Sequence, residues 1–283
     1  MTALPRAALE ELLRFYAEAG VDEPLDDTPS DRFAAAAETA QAPAVAAPAP
    51  DQPAPRSDRT AFERYADATP APRAPAPAAI PDEATAARAR DMARSAATLD
   101  ELRDLLAAFD GCNLKSTAKT MVFSDGNPDA AVMFVGEAPG REEDLEGLPF
   151  VGRSGQLLDR MMAAIGLDRS AAYIANVIPW RPPGNRTPTP LETEICRPFI
   201  ERQIELANPK VLVTLGGPSA KVLLNTAEGV MRLRGSWRVH VTAGGVEIPA
   251  MPTLHPAYLL RNPAHKRLAW RDFLEIKARL RTL

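Results

Sequence analysis

Cysteine is nearly missing from this chain: Cys112 and Cys196 are the only thiols in 283 residues. Two cannot make a disulfide framework, and the scarcity fits a reducing compartment. Histidine is almost as rare. His240, His255 and His265 are scattered, and with two distant cysteines they give no metal-ligand spacing. No Ser, His and Asp stand in an order supported by a nucleophile elbow. No apolar run is long enough to cross a bilayer, and no charged-then-apolar leader opens the chain. These absences exclude a disulfide-stapled secreted fold, a zinc site and a membrane helix. The expectation they leave is a soluble, cytoplasmic protein of bacterial type.

What is present is unevenly spread. Residues 1–95 carry 10 basic against 16 acidic side chains, which leaves 23 against 21 for the remainder. The net charge of −4 thus conceals an acidic leading part and a neutral-to-basic body. Residues 256–283 hold 7 basic and 2 acidic groups, which suits an anionic partner better than the whole-chain balance does. A charged, solvated terminal helix accounts for the same count equally well.

Leu9, Leu12, Leu13 and Tyr16 recur at helical spacing before Gly20. They predict a short amphipathic helix within residues 1–26. Residues 27–98 are expected to be a disordered linker, since up to residue 81 the composition falls to Ala, Pro and small polar groups. A helix is expected to resume near residues 82–97, and Asp100 to open another over 102–108. The compact domain is placed at residues 99–283, ample for one core.

Within that domain apolar runs alternate with helical patterns. Strands are expected at residues 131–136, 172–178, 210–215 and 250–254. Helices are expected at 156–165, 190–207, 218–224 and 264–280, and a hairpin across Gly244-Gly245. This alternation predicts an α/β fold: a three-layer α/β/α sandwich around a central, mostly parallel four-stranded sheet. In such sheets ligands collect beyond the carboxyl ends of the strands. Four loops leave those ends. The first runs from Glu137 past Glu143 to Phe150, and the second carries Asn176 and then Arg181 to Arg186. The third is Gly216-Gly217-Pro218-Ser219, and the fourth runs from His255 to Arg261.

Each residue also has a plain structural reading. Glu137 follows a buried strand and could simply close a hydrogen bond. Asn176 interrupts Ile, Ala and Val, and a buried amide needs partners. Phe150 and Leu259 would by default be core, and His255 alone would more often be structural. Gly216-Gly217 before a helix is a weak phosphate signal.

Taken together these residues resemble uracil-DNA glycosylases, and among them family 4. The likeness rests on Gly136-Glu137-Ala138-Pro139-Gly140 with Glu143-Asp144, on Pro149-Phe150-Val151-Gly152, on Asn176 with Arg181-Pro182-Pro183-Gly184-Asn185-Arg186, and on His255-Pro256-Ala257-Tyr258-Leu259-Leu260-Arg261. The motifs keep the family's order between about residues 112 and 280. The first 95 or so residues lie outside it. The resemblance implies that Glu137, Asn185 and His255 are catalytic, with Glu137 and Asn185 handling the attacking water and His255 donating to uracil O2. It implies that Gly136, Ala138, Glu143, Phe150 and Asn176 bind the base: Phe150 by stacking, Asn176 by reading O4 and N3–H, Glu143 by ordering water or excluding the thymine methyl. Leu259 would be the wedge behind a flipped nucleotide. Arg261 and Ser219, the latter through its backbone, would meet phosphates.

Family 4 enzymes hold a [4Fe–4S] cluster on four cysteines. Cys112 and Cys196 match two of those positions, while Phe109 and Trp180 stand at the other two. The expectation from sequence is that the cluster is absent, that the two aromatics fill its space, and that no metal is used. The second loop has Asn185 and no histidine, so turnover is expected rather than the covalent trapping of some relatives. No lysine lies in the loops to form a Schiff base, which implies a monofunctional enzyme. The expected partner is uracil-containing DNA, single- or double-stranded, met by a nucleoid-associated monomer with no membrane contact. The competing expectations are a glycosylase for another deaminated base and a non-catalytic DNA- or nucleotide-binding module.

Overall fold

A computed structural model describes residues 83–283. The expected N-terminal helix and most of the expected linker lie outside the described residues. Helix α1 (Glu83–Ser95) is folded, and its Ala86, Ala89 and Ala93 are buried together with Ala96 beyond its end. This narrow stripe of small side chains lets α1 approach helix α6 (Pro190–Ala207) closely. The folded unit therefore includes residues upstream of Leu99. Helix α2 (Leu99–Ala108) is started by Thr98, whose hydroxyl accepts from Glu101 N at 3.2 Å; Asp100 sits in its first turn. A single turn, α3 (Leu114–Thr117), follows.

Among the described residues the sheet has six strands, in the order β1–β3–β2–β4–β6–β5. These are β1 (Ser124–Gly126), β2 (Val132–Gly136), β3 (Tyr173–Asn176), β4 (Val211–Leu215), β5 (Arg238–Val241) and β6 (Glu247–Thr253). The four inner strands are parallel, and β1 and β5 are antiparallel edges. The expected four-stranded sheet is thus its parallel core; the expected hairpin supplies the β5 edge, pairing antiparallel with the start of β6, and the β1 edge has no counterpart in the expectation. β1 is Ser-Asp-Gly and carries no apolar signal. β6 runs continuously through Pro249 and Pro252, which on paper divide it in two. Pro252 still contributes its carbonyl, accepting from Gly235 N at 3.3 Å.

Strand alternation sorts the core into two layers. Val132 and Phe134 face helices α5 (Arg153–Ala164) and α10 (Lys266–Leu280), packing with Leu158, Met162, Phe273 and Ile276. Met133 and Val135 face the opposite layer of α1, α2 and α6, with Leu102, Ile195 and Ile200. Every residue of β2, β3 and β4 is buried, as a sheet covered on both faces requires. Among the described residues no helix is long and apolar enough to cross a membrane.

Because the four inner strands are parallel, their carboxyl ends share one edge. Glu137, Asn176, Gly216 and His255 stand at or just beyond those four ends. Short helices start there as well: α4 (Arg141–Glu146) after β2, α7 (Gly217–Leu223) and α8 (Val230–Leu233) after β4, and α9 (Pro256–Arg261) after β6.

Candidate active site

A cleft of about 1110 Å³ opens along that edge. Glu137, Ala138, Glu143, Phe150, Asn176, Asn185, His255 and Arg261 all line it. Gly136 lies directly against two of the lining side chains. A Cβ at Gly136 would stand 2.4 Å from Asn176 Oδ1 and 2.6 Å from Phe150 Cζ. Both walls of the pocket thus close over a bare α-carbon, and only glycine fits between them.

Asn176 pairs with Gly136 at the last rung of the β2–β3 ladder. Only 6% of it is exposed, and its Oδ1 is buried with no hydrogen-bond partner. Leaving a buried carbonyl unmatched costs about 1–3 kcal/mol. Such a group marks a place where a ligand completes the bonding.

Phe150 holds a left-handed backbone, φ 56°, which is unusual for a bulky residue. Such a conformation costs on the order of 1–3 kcal/mol and persists only when its surroundings enforce it. Arg169 enforces it here. Its guanidinium donates to Phe150 O and, at 3.1 Å, to Pro149 O. Arg169 is held in turn by Asp125 at 2.5 Å and Asp159 at 2.9 Å. Arg169→Met is therefore expected to weaken ligand binding and turnover in the cleft about tenfold together, with Arg169→Lys recovering part of the loss. A drop in melting temperature with unchanged kinetics would reduce Arg169 to a structural residue.

His255 caps α9. Its Nδ1 accepts from Ala257 N at 3.1 Å, so in the neutral ring the proton sits on Nε2. Burial, with Arg261 adding to it, lowers its pKa from 6.5 to about 4. Its ring lies 5.6 Å from that of Phe150. Gly216, at φ 100°, makes room for it: a Cβ there would press within 3.1 Å of His255 Cβ.

Glu137 lies at the mouth of β2, and burial alone pushes its carboxyl pKa up. Asn185, φ 55°, ends a tight turn (Pro183–Asn185), and its Oδ1 accepts from Arg181 Nε at 2.7 Å. Its free end is accordingly the NH2 group.

Two expected roles need correction, those of Glu143 and Leu259. Glu143 borders the cleft, but both carboxylate oxygens are engaged. They accept from Gly140 N at 3.0 Å, Val151 N at 3.1 Å and Gly152 N at 3.0 Å. It is a tie that holds the first loop to the start of α5, not a free group for water. Ser219 is fully buried, and its hydroxyl donates to Gly216 O at 3.2 Å, which leaves the expected contact through its backbone N–H untouched. Leu259 is 1% exposed and packs with Leu254 and Ala269. It cannot leave that cluster to enter DNA without opening a cavity.

Residues 123–274 match the Uracil DNA glycosylase superfamily, and the chain belongs to it. The similarity extends to particular enzymes. A type-4 uracil-DNA glycosylase of Saccharolobus solfataricus is 38% identical over 190 residues, 64% of this chain and 86% of that protein. One from Archaeoglobus fulgidus is 39% identical over 183 residues, 63% of this chain and 92% of that protein. One from Thermotoga maritima is 39% identical over 173 residues, 59% and 86% respectively.

These relatives overturn the expectation that a cluster is absent. Type-4 uracil-DNA glycosylases carry a [4Fe–4S] cluster, and two cysteines are weak ground for its absence here. Cys112 and Cys196 are buried with their sulfurs 3.9 Å apart, so the two matching ligand positions do come together. Phe109 and Trp180 are buried in the same part of the core and bring no sulfur. Cys112 and Cys196 thus supply two of the four sulfurs that a four-cysteine ligand set would need.

Proposed function

We propose that this chain hydrolyses the bond between uracil and deoxyribose in DNA, with the uridine extruded into the cleft, and so begins base-excision repair. The observation that carries this reading is the buried, unmatched Asn176 carbonyl set among Gly136, Phe150 and His255. Uracil supplies what that corner lacks. Its N3–H donates to Asn176 Oδ1, its O4 accepts from the same amide, and its face stacks on Phe150.

Breaking the C1′–N1 bond leaves the electron pair on the base and an oxocarbenium-like sugar. The anion is met by the Nε2–H of neutral His255 at O2. Water adds to C1′ and its proton passes to Glu137, whose raised pKa suits a general base. Asn185, whose oxygen is held by Arg181, steers that water or a neighbouring phosphate through its NH2. Every group named belongs to one chain, which supports a monomer as the working unit, acting on single- or double-stranded DNA at the nucleoid.

Base release from oligonucleotides bearing uracil, thymine, cytosine or hypoxanthine, read as alkali-labile sites, tests this. Release from the uracil strand alone is expected. Tight binding without release, or faster release of hypoxanthine, would contradict it.

A further inference from the structure

Asp272 of α10 has no exposed surface, although it does not line the cleft. Three donors converge on its carboxylate. Oδ2 accepts from Thr253 Oγ1 at 2.6 Å and from Arg234 Nε at 3.0 Å, and Oδ1 accepts from a terminal nitrogen of the same guanidinium. Arg234 also donates to Leu268 O at 2.8 Å. Gly235, at φ 72°, lets the chain pass this group: a Cβ there would stand 2.9 Å from Asp272 Oδ1. Gly235 N in turn donates to Pro252 O at 3.3 Å. One carboxylate therefore joins α10 to the end of β6 and to the turn that leaves α8. Burying such a pair forfeits solvation that its attraction scarcely returns, and apolar side chains of the same volume would serve stability as well. Its use has to be sought in what it holds in place.

We propose that Asp272, acting through Thr253, is a positioning residue for His255. Thr253 ends β6, and only the buried Leu254 separates it from His255. It is gripped from two directions: its hydroxyl by Asp272, and its carbonyl by Gly216 N at 2.9 Å. Gly216 is also the residue whose bare α-carbon makes room for His255. The bond from Ala257 N to Nδ1 orients the imidazole, while the grip on Thr253 sets where its α-carbon stands. Both are needed for Nε2–H to meet the oxygen that gathers charge, because a hydrogen bond to a developing anion tolerates little displacement. Arg234 extends the arrangement to α8, whose Val230 and Met231 line the cleft, so the same carboxylate sets that wall against the strand bearing His255. The inference rests on the glycosylase reading above and adds what keeps its leaving-group donor in register.

The test is a double-mutant cycle on the rate constant of uracil release from a uracil-bearing strand, with the full chain in saturating excess so that the fraction folded does not enter. Thr253→Val removes the hydroxyl and leaves the Arg234 pair intact; Asp272→Asn removes the charge. Either is expected to slow release about tenfold while the Kd for the strand changes less than about twofold, and Thr253→Ser to recover most of the loss. Placed in the His255→Ala background, either is expected to cost nothing further, because the effect passes through the ring. The same tenfold loss repeated in that background would overturn the proposal, as would release by Thr253→Val at the parent rate. Where Asp272→Asn does not fold, Thr253→Val decides alone. These results leave the glycosylase reading standing; no release by the unmodified chain would overturn both.

Discussion

His255→Ala is expected to lower kcat for uracil release by about a hundred- to a thousandfold, the usual cost of removing one donor to a developing anion. DNA affinity should change far less, because the Nε2 proton matters most once charge reaches O2. The pH dependence follows from the same geometry. His255 stays neutral down to about pH 4, since burial opposes its charging. Activity should therefore not fall between pH 8 and 6 through protonation of this ring. Stability carries a matching sign. The folded pKa of about 4 lies below the ordinary 6.5, so the unfolded chain takes up the proton first as pH drops. The stabilisation is complete above about 6.5 and is lost as pH falls towards about 4. Thermal melts at successive pH values should show a shallower acid loss in His255→Ala than in the parent. Equal losses of binding and catalysis in that variant would contradict a role at the leaving group.

Asn176→Asp is the second large effect. The amide both donates and accepts, whereas a carboxylate only accepts. It would keep a partner for N3–H and turn repulsive towards O4. One missed pair in a buried site costs about 1–3 kcal/mol, more with charge involved. Uracil release is expected to fall by about two orders of magnitude. Cytosine, which presents an amino group where uracil has O4, is expected to lose less or to gain. The ratio of uracil to cytosine release therefore narrows. Full uracil selectivity in Asn176→Asp would remove Asn176 from base reading.

The strand tips were legible because β2 and β3 are apolar runs ending at a glycine and an asparagine, and β4 and the last part of β6 are largely apolar before Gly216 and His255. Glu137, Asn176, Gly216 and His255 could thus be placed at one edge before any coordinates. β1 was not legible, since three residues of Ser, Asp and Gly have no pattern to read. Leu259 and Leu260 are adjacent leucines, and which faces inward depends on the phase of α9, set by the His255 cap. Arg169 lies 19 residues from the carbonyl that it holds, so no local spacing announces it. Glu143 was legible as a site residue but not as a tie, because its three partners, Gly140, Val151 and Gly152, are backbone N–H groups that no side-chain pattern announces. The cysteine count misled in another way. A tally of ligand types says what a chain can donate, not what its family carries.

The proposed activity depends most on one arrangement: Phe150, Asn176 and His255 sharing a single pyrimidine. A crystal structure of the chain with free uracil bound measures it directly. The expected result is the ring stacked on Phe150, N3 and O4 paired with the Asn176 amide, and O2 within hydrogen-bond distance of His255 Nε2. Uracil seated elsewhere in the cleft, or O2 turned away from His255, would contradict it.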